Sequence, residues 1–328
     1  MEIIKLKDFK ELKLLYEMWN EEFGFIFPIT EELFNKNVIE YGDNIFDESF
    51  VALVDDEAVG FIIGKTWSKD IIVPTYDKTG WVSLIYVKPK FRKQGIGSKL
   101  LEKVEGIFVS KDLESIFLGK DYYNFFPGLP VDLKYFRPWF EKRGFVGPYD
   151  TNDLIKKVSE STKKEVLVPF KDGKNYTIRR ANLDDYENLG NLIKKNWPGR
   201  WYLEFLDYFA HGGTGYEYMV CLDENGIICG FCKVCDYDTP LVLAGYSLNF
   251  HGRFERIGGI GPLGVDVEYR RRNIDNNILK QIVNELITNG IVPTDPHLEN
   301  FLICYNNDGS YKLNMIDTDD QYISVYPK

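Results

Sequence analysis

The sequence predicts an α/β protein made of two copies of one unit placed in tandem. Three observations predict it. The chain has 328 residues, about twice a typical domain length. A hairpin pattern occurs twice, each time after a stretch with helical apolar spacing. A basic turn between a strand pattern and an amphipathic helix pattern also occurs twice, further downstream.

Taken in order, the first copy opens on Leu12, Leu15 and Trp19, which share a helix face. Phe50-Val51-Ala52-Leu53-Val54 follows, then the polar turn Asp55-Asp56-Glu57, then Val59-Gly60-Phe61-Ile62-Ile63. β-formers around a polar turn read as a hairpin. In the second copy Leu189, Leu192, Ile193 and Trp197 carry the helical spacing. The hairpin is Met219 to Leu222, a turn ending in Asn225-Gly226, and Ile227 to Phe231. Asn-Gly is a strong hairpin signal. Downstream, Val87 to Gly97 lies over Val265 to Asp275, and both run into helical patterns, Leu100-Leu101-Val104 and Ile278-Leu279-Ile282. Charged and small residues replace the periodic pattern from Ser159 to Asn175, which marks a linker.

Hydrophobic residues make up 44% and charged residues 27%, an ordinary globular balance that argues against wholesale disorder. The formal net charge is -10. A non-specific phosphate binder needs a clustered cationic excess, so neither nucleic acid nor an anionic membrane is expected as a partner. A cationic small molecule or amine suits this charge. No uncharged apolar run approaches the ~18 residues of a membrane span, and Met1 to Leu15 lacks the apolar block of a secretory signal. Five cysteines make an odd set, too few for a disulfide framework in a chain this long. A reducing cytoplasm is the expected compartment.

The chemistry centres on one loop. Trp81 to Val87 reads as a strand, Arg92 to Gly97 as a basic glycine-containing turn, and the residues after it as a helix. The first amides of a helix lack internal partners and the helix dipole favours an anion there. Gly95 and Gly97 would let a phosphate approach the backbone, with Arg92 and Lys93 adding charge.

This segment resembles the acetyl-CoA loop of the GNAT N-acetyltransferase superfamily, whose Gln/Arg-x-x-Gly-x-Gly/Ala pattern is matched by Arg92-Lys93-Gln94-Gly95-Ile96-Gly97. The resemblance implies two tandem GNAT-like domains, each a mixed, mostly antiparallel twisted sheet flanked by helices. It assigns residues 1–158 to an acetyltransferase domain, 159–175 to a linker, 176–290 to a degenerate GNAT-like domain and 291–328 to an atypical tail. It implies acetyl-CoA as cosubstrate and direct attack by a primary amine of a small molecule or peptide. Ile85, Tyr86 and Val87 would pair with the pantetheine arm. Arg92, Lys93, Gln94, Gly95, Ile96, Gly97, Ser98 and Lys99 would surround the pyrophosphate, and Asn124 would touch the cofactor arm or serve as a turn former. No metal is implied.

Two departures bear on activity. The family often ends its second block with Tyr-x-x-x-Gly-Phe, in which Tyr protonates the leaving thiolate; here the stretch is Phe140 to Phe145. Phe140 has no proton to give, so Tyr135 or Tyr123 becomes the candidate acid, or the protein binds CoA without efficient turnover. In the second copy Asn273 and Asp275 replace Gly95 and Gly97. A carboxylate there repels a pyrophosphate, and Asp275 reads instead as a helix N-cap.

Other candidates are bland. Cys229, Cys232 and Cys235 invite a metal reading, but their strand pattern favours buried thiols. His211 and His251 stand in loop-like contexts. In the tail, Asp295 and Asn300 followed by Ile316-Asp317 resemble the catalytic and metal-binding loops of kinase-like phosphotransferases, with no nucleotide-gripping loop upstream.

Overall fold

The computed structural model describes residues 1–40, 45–67, 73–147, 154–155, 165–236, 238–244, 258–288, 293–295, 301–305 and 311–315. The chain forms two compact units, which meet in sequence between Asp150 and Thr151.

The first unit holds strands β1 (Glu2–Lys5), β2 (Phe50–Val54), β3 (Glu57–Thr66), β4 (Thr79–Val87) and β5 (Ser115–Leu118), and helices α1 (Leu12–Phe23), α2 (Glu31–Phe34), α3 (Ile45–Glu48), α4 (Pro74–Asp77), α5 (Ile96–Ser110) and α6 (Arg137–Glu141). The sheet order follows the chain, β1-β2-β3-β4-β5. Every pair is antiparallel except β4 with β5, which is parallel. The β2–β3 turn works because Asp55 and Asp56 both adopt positive φ, 50° and 63°, which matches the twist of a tight hairpin. Helix α5 lies on the sheet through Ile96, Leu100, Leu101, Val104 and Phe108, packed against Ala52, Val59, Ile62 and Val82.

Two irregularities shape the middle of this sheet. Gly64 pairs with Val82 and Ile63 with Leu84, so Ser83 is an extra residue bulged out of β4. The last β4–β5 pair is Val82 with Leu118. Beyond it the two strands part, and among the described residues the β5-side edge of Ser83 to Val87 has no strand partner.

The second unit holds β6 (Leu154–Ile155), β7 (Thr177–Arg180), α7 (Tyr186–Asn196), α8 (Arg200–Ala210), β8 (Tyr218–Leu222), β9 (Ile228–Cys235), β10 (Gly258–Val265), α9 (Ile274–Thr288), β11 (Pro293–Asp295), and the separate hairpin β12 (Phe301–Tyr305) and β13 (Tyr311–Met315). Its sheet order is β6-β11-β10-β9-β8-β7. Strands β7 to β11 repeat the order of β1 to β5, again with one parallel pair, β10 with β11. Ile274, Ile278 and Ile282 of α9 face the core with Met219, Cys229 and Val265.

Residues 165–171, inside the expected linker, form a strap along α9. Asn277 accepts from the Val168 amide at 2.9 Å and donates to the Val168 carbonyl at 2.8 Å; Asn284 makes the same pair with Glu165, at 2.6 and 2.8 Å. Asn273 donates to the Pro169 carbonyl and Lys280 to the Val166 carbonyl. At about 100° per residue these four side chains lie on one stripe, roughly 130° round the helix from the buried isoleucines.

Candidate active site

The turn after β4 is built for an anion. Lys93 and Gly95 take left-handed backbone, φ 61° and 83°. Gly95 is the N-cap of α5 and offers no side chain to its first amides, so Ile96, Gly97 and Ser98 present uncapped N–H groups at the positive end of a long helix. A Cβ at Gly95 would meet nothing within 4 Å; one at Gly97 would lie 3.5 Å from Trp139 and 3.7 Å from Val87. Open space adjoins this helix start.

That space belongs to a cavity of about 290 Å³ that also reaches the parted edge of β4. Ser83, Leu84, Ile85, Tyr86 and Val87 line it on one side, and Arg92, Lys93, Gly95, Ile96 and Gly97 at the helix start. Leu118, Gly119, Phe126, Trp139 and Phe140 close it opposite, and Trp19 and Phe23 of α1 bound the remaining wall. The strand edge and the helix start therefore open on one space.

Several sequence-predicted residues are placed differently from their expected tasks. Arg92 turns inward: its guanidinium makes a two-pronged ion pair with Glu22, its Nε donates to the Val87 carbonyl at 2.8 Å, and the rings of Phe23, Tyr86 and Phe136 surround it at 5.3 to 5.8 Å. Its charge is neutralised before any ligand arrives. Arg143, which sequence reasoning passed over, stacks 3.8 Å from the Trp139 ring and donates to Ser98 Oγ at 2.6 Å. It brings a cation to the first turn of α5 in place of Arg92. Lys93 and Lys99 are exposed there as well. Gln94 Nε2 donates to the Lys90 carbonyl at 3.1 Å.

Tyr135, Tyr123 and Asn124 do not line the cavity. Tyr135 is 59% exposed and its ring packs beside Phe136. Tyr123 stands next to Tyr122 in the aromatic cluster around Lys65. Asn124 takes left-handed backbone, φ 53°, and its amide donates to the Asp121 carbonyl, a turn former's part. Tyr86 does line the cavity; burial, and then Glu22, push its hydroxyl far above the usual phenol range, so it stays protonated. Phe140 borders the same space.

Sequence reasoning also missed a buried polar cluster beside the bulge. The Ser83 hydroxyl donates to Asp121 Oδ2 at 2.5 Å, Lys65 Nζ reaches the same oxygen at 3.1 Å, and the Tyr123 amide donates to Oδ1 at 2.9 Å. The available signal was a lone lysine ending the apolar run Val59 to Gly64.

In the second unit the loop keeps its backbone. Arg271 and Asn273 are left-handed, φ 65° and 69°, where Lys93 and Gly95 are. Asp275 lies one residue inside α9 rather than at its N-cap, because the helix begins at Ile274; its carboxylate acts on the helix dipole instead. Cys221, Cys229, Cys232 and Cys235 are buried thiols. Among the described residues no group of three or more His, Cys, Asp or Glu could hold a metal, and no helix is long and apolar enough to cross a membrane. His211 ends α8 with Nδ1 2.7 Å from the Asp207 carbonyl. Asp295 ends β11, paired with Leu154; His251, Asn300, Ile316 and Asp317 lie outside the described residues.

Residues 12–126 match the acetyltransferase (GNAT) family. No curated protein matches the chain. Among solved structures, the glucosamine N-acetyltransferase region of a fungal multi-domain GH3 β-N-acetylglucosaminidase covers 96% of this chain at 20% identity and a TM-score of 0.73. The match takes in 37% of the fungal protein's length. A tandem GNAT protein from the clavulanic acid biosynthesis pathway covers 91% of this chain and 90% of its own at 11% identity, TM-score 0.52. A GCN5-related N-acetyltransferase from Sphaerobacter thermophilus covers 78% of this chain and 73% of its own at 15% identity, TM-score 0.51. The family match falls within the first unit, and the tandem match shares the mixed-sheet fold.

Proposed function

We propose that the first unit binds acetyl-CoA and transfers its acetyl group to a primary amine of a small molecule or peptide by direct attack, with no covalent enzyme intermediate. One observation carries this reading: an uncapped helix start and an unpartnered strand edge open on the same cavity. The amides from about Gln94 to Ser98 hold the pyrophosphate, helped by Lys93 and Arg143. The edge of β4 from Ser83 to Val87 pairs with the pantetheine arm as an added strand would. The thioester then lies near the bulge, and the acceptor enters past Trp19, Phe23 and Phe126. We place the domains at 1–158 and 176–290, the second a degenerate copy, with a linker at 159–175 and a tail at 291–328, in a cytoplasmic protein.

Calorimetric titration with acetyl-CoA tests the reading, followed by thiol release with a panel of amines. Glucosamine belongs in that panel because the fungal region acts on it. Binding with one cofactor per chain is expected; no binding at millimolar acetyl-CoA overturns the reading. Phe140 favours a second reading, a CoA-binding protein with little turnover. Thiol release with any amine in the panel decides between the two.

A further inference from the structure

We propose that Ser83, Asp121 and Lys65 form a proton relay for acyl transfer, opening on the cavity where β4 and β5 part. The relay rests on the acetyltransfer reading above. An amine that attacks a thioester must lose a proton, and the departing thiolate must gain one. Phe140 supplies neither. Besides Ser83, the hydroxyl or charged side chains on the cavity wall are Tyr86, Arg92 and Lys93. Arg92 is bound by Glu22, Tyr86 is packed against that ion pair, and Lys93 belongs to the helix-start end. Ser83 is the bulged residue at the strand parting, and its hydroxyl leads directly to a buried carboxylate.

The cluster is unusual for a packing feature. The side chains of Lys65 and Asp121 are both 0% exposed. Removing two charges from water costs several kcal/mol per ion before their attraction is counted. The same chain shows that the fold does not need charge at these positions. Lys65 pairs with Trp81 across β3 and β4, and at the matching register of the second unit Cys235 pairs with Gly259. Two residues on from Trp81 stands Ser83; two on from Gly259 stands Gly261. At those two positions the copy without the glycine loop has neither the ammonium nor the hydroxyl; its own buried lysine, Lys233, stands two residues earlier on β9, among the rings of Tyr208 and Tyr218.

The chemistry balances as follows. As the C–N bond forms and the C–S bond breaks, the amine proton passes to Ser83 Oγ, whose own proton passes to the Asp121–Lys65 pair. The pair returns a proton through Ser83 to the thiolate, leaving amide and thiol. An acceptor that arrives as an ammonium first gives its extra proton to solvent. Burial pushes the Lys65 ammonium down while Asp121 holds it up. The rings of Tyr122, Tyr123 and Phe125 stand 5.7 to 5.8 Å from Lys65 Nζ. Tyr86 of β4 and Arg92 of the turn after it face the cavity, and Glu22 of α1 holds Arg92 from behind. Glu48 and Lys111 meet at Thr66, whose side chain alternates to the other face of β3. Only Ser83 touches the reacting groups; Asp121 and Lys65 act through it.

The test uses the full chain with Ser83→Ala, which leaves Asp121 its Lys65 and Tyr123 partners, and the neutral double variant Lys65→Met/Asp121→Asn. With acetyl-CoA and the best amine of the panel, Ser83→Ala should lower kcat about a hundredfold at unchanged acetyl-CoA affinity. It should also erase the ionisation on which the wild-type kcat rises with pH. Adding the double variant to Ser83→Ala should cost little more, since one path is already cut. A readout independent of turnover is the ultraviolet titration of the thiol of bound CoA, whose midpoint should rise in Ser83→Ala because the thiolate loses a donor. An unchanged pH profile or bound-thiol midpoint in a folded Ser83→Ala protein overturns the relay and leaves the acetyltransfer reading standing. Failure of the wild type to bind acetyl-CoA overturns both.

Discussion

In the first unit Lys93 and Gly95 have φ of 61° and 83°; in the second, Arg271 and Asn273 have φ of 65° and 69°. Arg92 donates from Nε to the Val87 carbonyl at 2.8 Å, and Arg270 does the same to Val265 at 3.3 Å. The two loops thus share a backbone trace and an anchoring arginine. They differ in what stands on that trace. Gly95 and Gly97 leave the helix start open, whereas the Asn273 amide reaches the Pro169 carbonyl and Asp275 adds a carboxylate to the first helical turn. Asparagine tolerates left-handed backbone without a glycine's openness. Conformation is therefore the inherited part of this motif, and ligand capacity depends on two missing side chains.

The most severe way to break the contrast is Gly97→Asp, which converts the first loop toward the second. Two unit charges 4 Å apart repel by about 4 kcal/mol at an effective dielectric of 20, so calorimetry should show acetyl-CoA affinity falling roughly a hundredfold or more. Gly97→Ala is the control: its Cβ would meet Trp139 at 3.5 Å, an ordinary contact, so the variant should fold and bind far better than the aspartate. Equal losses would mean that shape, not charge, governs the site.

Next in size is Asn277→Leu in the second unit. Asn277 is fully buried and satisfies both the amide and the carbonyl of Val168. Its loss leaves two polar groups unmet, worth roughly 2–3 kcal/mol, seen as a lower unfolding temperature in scanning calorimetry with acetyl-CoA affinity unmoved. A smaller effect is expected from restoring glycine at both Asn273 and Asp275. Stoichiometry should stay at one acetyl-CoA per chain, because the Lys171 amide still holds the Arg272 carbonyl and the strap still crosses the loop. A second binding event in titration would show that the side chains alone had closed it. The smallest change is Gly95→Asn, which copies the second loop at an open position. It should shift stability by less than about 1 kcal/mol and affinity by less than severalfold, whereas Gly95→Val should cost more.

Much of this fold was legible because its signals are local. Asp55-Asp56 and Asn225-Gly226 name their hairpins, and the strand, glycine turn and helix around residue 95 are contiguous. The paired strand order of the two units follows from the repeated patterns. What escaped were partnerships across long separations. Glu22 meets Arg92 across 70 residues and Lys65 meets Asp121 across 56; no periodicity reports such contacts. Arg92 therefore read as a phosphate ligand, although Arg143, held by Trp139, is the cation that touches the first turn of α5. Tyr123 and Tyr135 carry the phenol that Phe140 lacks, but access to the cavity depends on which face of a turn a side chain occupies, and neither lines it. The strap escaped because its determinants are three asparagines and a lysine, residues that ordinarily read as solvated helix surface.

The strap has one consequence of its own. Seven helical residues from Asn277 to Asn284 rise about 10.5 Å, and three extended residues from Glu165 to Val168 span about 10 Å. The carboxamides grip peptide groups at matching intervals and ignore what those residues carry. Such a seam is blind to composition: residues 165 and 168 are open to replacement by almost any side chain during divergence, and only proline, which lacks the N–H, is shut out at those two places.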